Sequence, residues 1–407
     1  MAAEYKPLIK LSHPLKFLIA ALSFGCTTLA VSQTNTTVAS KNYHISSTKP
    51  GTILSAQAQQ PGVGYAHAGQ RFLINYRSRG VYGEPIVASG FIILPKGKAP
   101  RQGWPVLAWA HGTTGVADTC APSEDYAGGP VHSYQQVADA ALDTWLARGY
   151  AIVAPDYQGL GTPGGHPYMN ATSQLHTVVD AVRALHVLMP GQINKQWLVM
   201  GHSQGGAAAL AVAAYGQKDA PELNLKAALA LAPGGYQYEG IAEYAQTHPK
   251  PDTNVAAFFP IVLLGAQAAD PSINPDNLVS PEMQLLLDQG RKRCLSEMQT
   301  ELKQSPDRIF KPEANLKPLL DYLKLQSIER MTPTVPLMLV QGTNDQLVDP
   351  RGTYAYYQQV CKAHKPVVYH SINGGDHRDA VRQSPNFSAE FLKTLNNGKI
   401  PTSCSTK

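Results

Sequence analysis

The chain has 407 residues, of which 43% are hydrophobic and 15% charged, with a formal net charge of +5. Such a composition describes a globular protein long enough for a large core, with no internal repeat and no low-complexity domain. The 34 Lys and Arg residues form no long cationic run, so no nucleic-acid partner is expected, because a phosphate-binding face needs clustered cations.

In chain order, Lys6, Lys10 and Lys16 precede an apolar run, 17–25, that is too short to cross a bilayer. Small residues follow and offer cleavage after Ala30 or Ala39. Residues 1–30 are therefore read as an export signal, and the polar stretch 31–42 as a flexible linker. Cys26, directly after Gly25, opens a lipid-anchored alternative, against which stands the bulk of Phe24. Removal of a signal leaves Cys120, Cys294, Cys361 and Cys404, an even number in an exported protein, which predicts two disulfides. Four cysteines allow three pairings, and spacing does not choose among them. No pair has the C-x-x-C spacing of a zinc site, so no metal is expected.

From Arg71 the chain reads as a hairpin, with strands at 71–77 and 86–94 around the turn-prone Gly80 and Gly83-Glu-Pro85. The run 104–110 is a more continuously apolar strand, as expected of one covered on both faces. Helical periodicity occupies 134–148 and 173–188, with buried-type strands at 150–154 and 197–200. A strand at 225–232 follows, and the core resumes with a strand at 335–341, a helix at 354–362, a strand at 366–370 and a helix at 387–395. This alternation predicts an α/β fold with a mostly parallel sheet and helices on both faces. It lapses across 236–331, where helix formers are broken by prolines and no apolar run dominates. That stretch reads as an inserted helical cap between core segments 43–235 and 332–404.

The stretch Trp197 to Gly206 carries the chemistry. A short strand runs into Gly201-His-Ser-Gln-Gly205 and on into an alanine-rich helix, the order of a nucleophile elbow with Ser203 at its apex. The Gly-x-Ser-x-Gly pattern alone arises by chance in roughly one chain in six of this composition. Its context is what makes it informative, because strand and helix pass so closely that a β-carbon at Gly201 or Gly205 would clash.

A serine hydroxyl is a weak nucleophile, so Ser203 needs a base, and the base needs a carboxylate to orient it. In the α/β-hydrolase fold these follow in the order Ser, Asp, His at strand ends. Asp345 follows the strand ending at Gln341, and His377 follows the turn Gly374-Gly-Asp376. Asp349 and His370 are their rivals, the first as a helix-capping Asp and the second as a strand histidine. Oxyanion donors are expected from the backbone of Gln204 and from the loop His111-Gly-Thr-Thr-Gly115, with Gly112 and Thr113 as candidates.

Together with 118–123 (Asp-Thr-Cys-Ala-Pro-Ser), 154–161 (Ala-Pro-Asp-Tyr-Gln-Gly-Leu-Gly), His166-Pro-Tyr168 and Gly342-Thr-Asn-Asp345, these motifs resemble the secretory lipase family of yeast lipase A type, within the α/β-hydrolases. The resemblance runs from about Tyr43 to Cys404. It implies an exported carboxylic-ester hydrolase acting on a small-molecule or lipid ester, with transient contact at a lipid interface and no cofactor. It implies Ser203, Asp345 and His377 as the triad, a protonated Asp118 assisting Gln204 in the oxyanion hole, and the disulfides Cys120 to Cys294 and Cys361 to Cys404. Asp156, Tyr157 and His166 match family signatures and are read as loop braces. A serine peptidase or amidase of the same fold is the rival enzyme, although no acidic pair offers to hold a peptide amine. A non-catalytic binding protein retaining the fold is the rival of another class.

Overall fold

The computed structural model describes residues 47–62, 64–248 and 250–404. The segments read as export signal and linker, and Cys26, lie outside the described residues. Three antiparallel strands come first: β1 (Ile53–Gln59), β2 (Ala68–Arg79) and β3 (Pro85–Pro95). β2 and β3 are the hairpin that the alternation predicts, in register from Gln70 opposite Leu94 to Arg79 opposite Pro85. β1 has no counterpart in the sequence reading. Its sequence ILSAQAQ fully buries only Ile53, which leaves almost no hydrophobic period to detect.

Strand and helix then alternate through β4 (Trp104–Ala110), α1 (His132–Ala147), β5 (Ala151–Pro155), α2 (Ala171–Leu188), β6 (Ile193–His202), α3 (Gln204–Asp219) and β7 (Asn224–Leu231). Six helices intervene next: α4 (Gly240–Thr247), α5 (Thr253–Ala269), α6 (Pro275–Leu278), α7 (Pro281–Gly290), α8 (Leu295–Glu301) and α9 (Lys317–Gln326). The chain returns to the sheet with β8 (Leu337–Gly342), α10 (Pro350–Lys362), β9 (Val367–Ile372) and α11 (Asp379–Asn396).

The strands form one nine-stranded sheet in the order β1-β2-β3-β5-β4-β6-β7-β8-β9, with β5 through β9 parallel. Successive residues of β4 feed two cores. Val106, Ala108 and Ala110 pack with residues of α2 and α3, whereas Leu107 and Trp109 pack with residues of α1 and α11. Burial on both faces explains the nearly unbroken apolar run, each large aliphatic side chain contributing about 2 kcal/mol. Parallel pairing also brings the C-terminal ends of β6, β8 and β9 to one edge, where open α/β sheets gather their chemistry.

The insertion departs from its sequence reading in one respect. α5 is a 17-residue apolar helix, with Ala256, Phe259, Ile261 and Leu263 each fully buried. The reading missed it because Pro260 sits inside it. That proline removes one helix hydrogen bond, yet it lies in a tight contact, since a Cβ on Gly290 of α7 would fall 2.4 Å from the Pro260 Cβ. A helix that is hydrophobic all round must be covered, and burial outweighs the missing bond. Among the described residues no helix is long and apolar enough to cross a membrane.

Candidate active site

The turn from β6 to α3 holds Ser203 at φ 58° and ψ −115°, a conformation that L-residues rarely adopt. Two bonds pin it, from Ser203 N–H to Leu231 O (2.9 Å) and from Gly234 N–H to Ser203 O (3.1 Å). A Cβ on Gly201 would lie 2.0 Å from Gly205 O, and one on Gly205 would lie 1.9 Å from Ala110 O. The glycines are thus fixed by close approach, as the sequence implies. Ser203 remains partly exposed, and among the described residues its hydroxyl has no hydrogen-bond partner.

Asp345, just beyond β8, accepts from His377 Nδ1 (2.7 Å) and from Gln341 Nε2 (2.8 Å) on one oxygen. Its other oxygen accepts from the backbone of Leu347 and Val348, both at 2.9 Å. Burial pushes this carboxyl upward, but the His377 bond and charge, with the two backbone donors, hold it below its ordinary value. A charged Asp345 keeps the His377 proton on Nδ1 and leaves Nε2 as the ring's lone pair. Gln341 is itself held by Thr353 Oγ1 (2.8 Å).

His377 is tied to the elbow through its main chain. His202 Nε2 donates to His377 O at 3.0 Å, and the two rings lie 4.5 Å apart. His202 Nδ1 is then an acceptor and faces the Tyr134 hydroxyl at 3.3 Å, while the same hydroxyl accepts from Gly112 N–H at 2.6 Å. Burial first, and then the neighbouring His377, hold His202 well below the ordinary imidazole value, so it stays neutral. The sequence reading missed Tyr134, His202 and Gln341. Only the position of His202 next to the nucleophile offered a signal.

That chain corrects the expectation for Gly112, whose N–H is taken by Tyr134 and is not free to meet an oxyanion. Its glycine identity has a packing cause: a Cβ there would fall 2.8 Å from the Tyr134 hydroxyl. Thr113 shares a 2.8 Å hydroxyl bond with Tyr168, on the edge of the cavity beside Ser203. Gln204 begins α3, so no intrahelical carbonyl can take its N–H. Asp118 does not join the group. It is solvent-exposed on a turn before Cys120 and does not line that cavity, so the protonated role expected of it has no support here.

The rivals have other work. Asp349 caps α10 by accepting from Arg351 N–H (2.9 Å), and His370 stacks on Phe387 with ring centroids 4.3 Å apart. Asp156 is fully buried, accepting from Ser123 N–H (2.8 Å), with Ser89 Oγ 2.7 Å from its other oxygen, and Tyr157 donates to His111 O (2.9 Å). Both act as braces, as expected. Among the described residues no cluster of His, Cys, Asp and Glu could hold a metal ion.

Ser203 opens on a cavity of about 330 Å³ between the sheet edge and the insertion. α4 and α5 supply Ile241, Val255, Phe258 and Val262, and the loop after β8 supplies Leu347 and Val348. The family model for secretory lipases matches residues 131–389, well over half of the chain. The chain belongs to the secretory lipase family. A secreted triacylglycerol lipase of Malassezia globosa is 22% identical over 86% of this chain and 76% of its own length. A protein of Mycobacterium tuberculosis named a probable inactive lipase is 26% identical over 72% of this chain, which spans 66% of that protein's length, just under two thirds. Among solved structures, Candida antarctica lipase A superposes with a TM-score of 0.72 at 16% identity, over 88% of this chain and 85% of that one. A rice cell wall degrading esterase from Xanthomonas oryzae superposes with a TM-score of 0.65 at 18% identity, over 86% and 98%. At such identities the likeness speaks for the fold alone.

Among its described residues this family member carries two disulfides, one of them beside the loop after β4. Cys120 is joined to Cys294 and Cys361 to Cys404, with Cα atoms 5.4 and 5.5 Å apart. The first fastens the insertion to the loop after β4, where Leu295 N–H also donates to Thr114 O (2.8 Å).

Proposed function

We propose that this secretory lipase family member is an exported serine hydrolase of carboxylic esters, working through an acyl-enzyme on Ser203 with His377 as base and Asp345 as its orienting carboxylate. His377 Nε2 takes the Ser203 proton as the hydroxyl attacks the ester carbonyl, then returns it to the departing alcohol. Water repeats the sequence to free the acid. Asp345 holds the tautomer and steadies the imidazolium. The N–H of Gln204, at the start of α3, meets the developing oxyanion, with Thr113 N–H as its partner from the loop after β4. Residues 236–331 serve as the cap over the acyl site, and the core comprises 43–235 and 332–404. The segment 1–30 is the export signal, in keeping with the two disulfides and with the family.

The observation that carries this reading is the pairing of a strained Ser203 with a buried His377 that is bonded to Asp345 at 2.7 Å and to the residue before Ser203 at 3.0 Å. A relative named as inactive makes the test essential. A fluorophosphonate probe should label the wild type and spare Ser203→Ala. Failure to label folded wild type would favour a non-catalytic protein that kept the fold.

A further inference from the structure

Three residues lining the Ser203 cavity, Gln204, Tyr236 and Tyr238, each carry a buried polar atom without a hydrogen-bond partner, and two of them, Gln204 and Tyr238, are almost wholly buried. Gln204 is 1% exposed and Tyr238 is 7% exposed, both line the cavity, and neither Gln204 Oε1 nor the Tyr238 hydroxyl makes a hydrogen bond. Leaving such atoms unpaired costs roughly as much as a whole hydrogen bond.

The orientation of the Gln204 amide is fixed by its neighbour. His166 Nδ1 donates to Gln158 O at 2.8 Å, so Nε2 is the bare nitrogen of that ring. Gln204 Nε2 donates to it at 3.0 Å. Reversing the amide would set two acceptors against each other. Burial holds His166 down at about 3, so it carries no second proton that could rescue the reversed form. The carboxamide oxygen is therefore committed as an acceptor next to the nucleophile. Tyr238 stands near Tyr168 and Tyr322 and bonds to neither. On the side of α5 the wall is apolar, with Val255, Phe258 and Val262. A cavity for a plain alkyl chain would have no use for a buried acceptor and a buried phenol.

We propose that Gln204 Oε1 and the Tyr238 hydroxyl form a polar subsite that recognises a hydroxyl group on the acyl part of the ester, so that the preferred substrates are esters of hydroxylated aliphatic acids. The acyl part is the portion assigned because it stays on Ser203, in the cavity that these residues line, while the alcohol departs. A substrate hydroxyl both donates, as Gln204 Oε1 requires, and accepts, as Tyr238 allows. This inference rests on the proposed ester hydrolysis.

The test compares p-nitrophenyl hexanoate with its 3-hydroxy and 6-hydroxy counterparts, on wild type and on Tyr238→Phe, reading the ratio of kcat/KM between hydroxylated and plain esters. The expected ratio for the better hydroxylated ester is about tenfold in the wild type and falls towards one in Tyr238→Phe. A wild-type ratio of one or less, with all three esters hydrolysed, overturns the subsite and leaves the hydrolase intact. A raised ratio that Tyr238→Phe does not change overturns the assignment to Tyr238. No hydrolysis of any ester, together with no fluorophosphonate labelling, sinks the hydrolase reading and the subsite with it.

Discussion

His202 Nε2 holds the main-chain oxygen of His377 at 3.0 Å, so the residue before the candidate nucleophile fixes the loop of the candidate base. His202 is neutral and buried, and Tyr134 supports it from behind at 3.3 Å. A loop freed from this bond would let the imidazole wander by a fraction of an ångström or more. His202→Phe should therefore lower kcat by roughly tenfold to a hundredfold with little change in KM. His202→Gln, which can still donate, should recover part of the loss. Equal losses in both variants, or a loss confined to KM, would contradict the positioning role.

Asp345 and Asp349 lie four residues apart and differ in what they hold. Asp345→Asn removes the acceptor that fixes the His377 tautomer and should reduce kcat by about 10⁴ without unfolding the chain. Asp349 lines the Ser203 cavity but makes no bond to His377, and Asp349→Asn disturbs a cap and an exposed Arg351 pair, costing well under 1 kcal/mol of stability. Its kcat should stay within about twofold of wild type. Steady-state kinetics on one p-nitrophenyl ester would separate the two, and a reversed order would move the carboxylate assignment to Asp349.

The elbow was legible because its constraints are local: the clash of a Cβ at Gly201 or Gly205 depends only on a strand, a turn and a helix adjacent in sequence. Asp345 and His377 were legible from strand ends. The bonds that refine the site were not, because they join residues far apart in the chain. Gly112 N–H finds Tyr134 on α1, and Gln204 finds His166 across 38 positions. No periodicity encodes such pairings. α5 escaped notice for another reason. Proline signals a helix break when the helix is solvent-facing, and Pro260 lies where packing compensates for the lost bond.

Asp156 offers a pH signature. Burial raises its carboxyl from the ordinary 3.8 to about 6, against bonds to Ser123 and Ser89 that pull it down. A raised folded value means that its contribution to stability is complete below about pH 4 and is lost as pH climbs through about 6. The swing is at most about 3 kcal/mol. Asp156→Asn cannot titrate, so the unfolding free energy of wild type minus that of the variant should decline between about pH 4 and pH 6 and level off above. Urea melts at several pH values would measure it. A difference that is flat, or rises with pH, would contradict burial as the dominant cause.

The cavity of about 330 Å³ sits at the lower end of the ~300 to 1,000 Å³ range of small-molecule sites, which predicts short or medium acyl chains. Across p-nitrophenyl esters from acetate to palmitate, kcat/KM should peak well before palmitate. Phe258, half-buried on α5, lines the same cavity as Ser203. Phe258→Ala should move the maximum to a longer chain. A maximum at palmitate in the wild type would mean that the cavity opens far beyond the form described here.

The two disulfides should differ in what their loss does. Loop-closure arithmetic assigns about 5 kcal/mol to Cys120–Cys294, which spans 174 positions, and about 4 kcal/mol to Cys361–Cys404, which spans 43. On stability alone the pairs are similar. Catalysis should separate them, because Cys294 pairs with Gly115 as an isolated bridge and Leu295 N–H donates to Thr114 O, so the first disulfide steadies the loop carrying Thr113. The second only ties the C-terminal tail to α10. Replacing Cys120 and Cys294 together by Ser should lower both the urea midpoint and, at temperatures where the chain stays folded, kcat. The same change at Cys361 and Cys404 should lower the midpoint and spare kcat. Equal effects on kcat from the two pairs would show that the loop after β4 keeps its geometry without the covalent hold of the insertion.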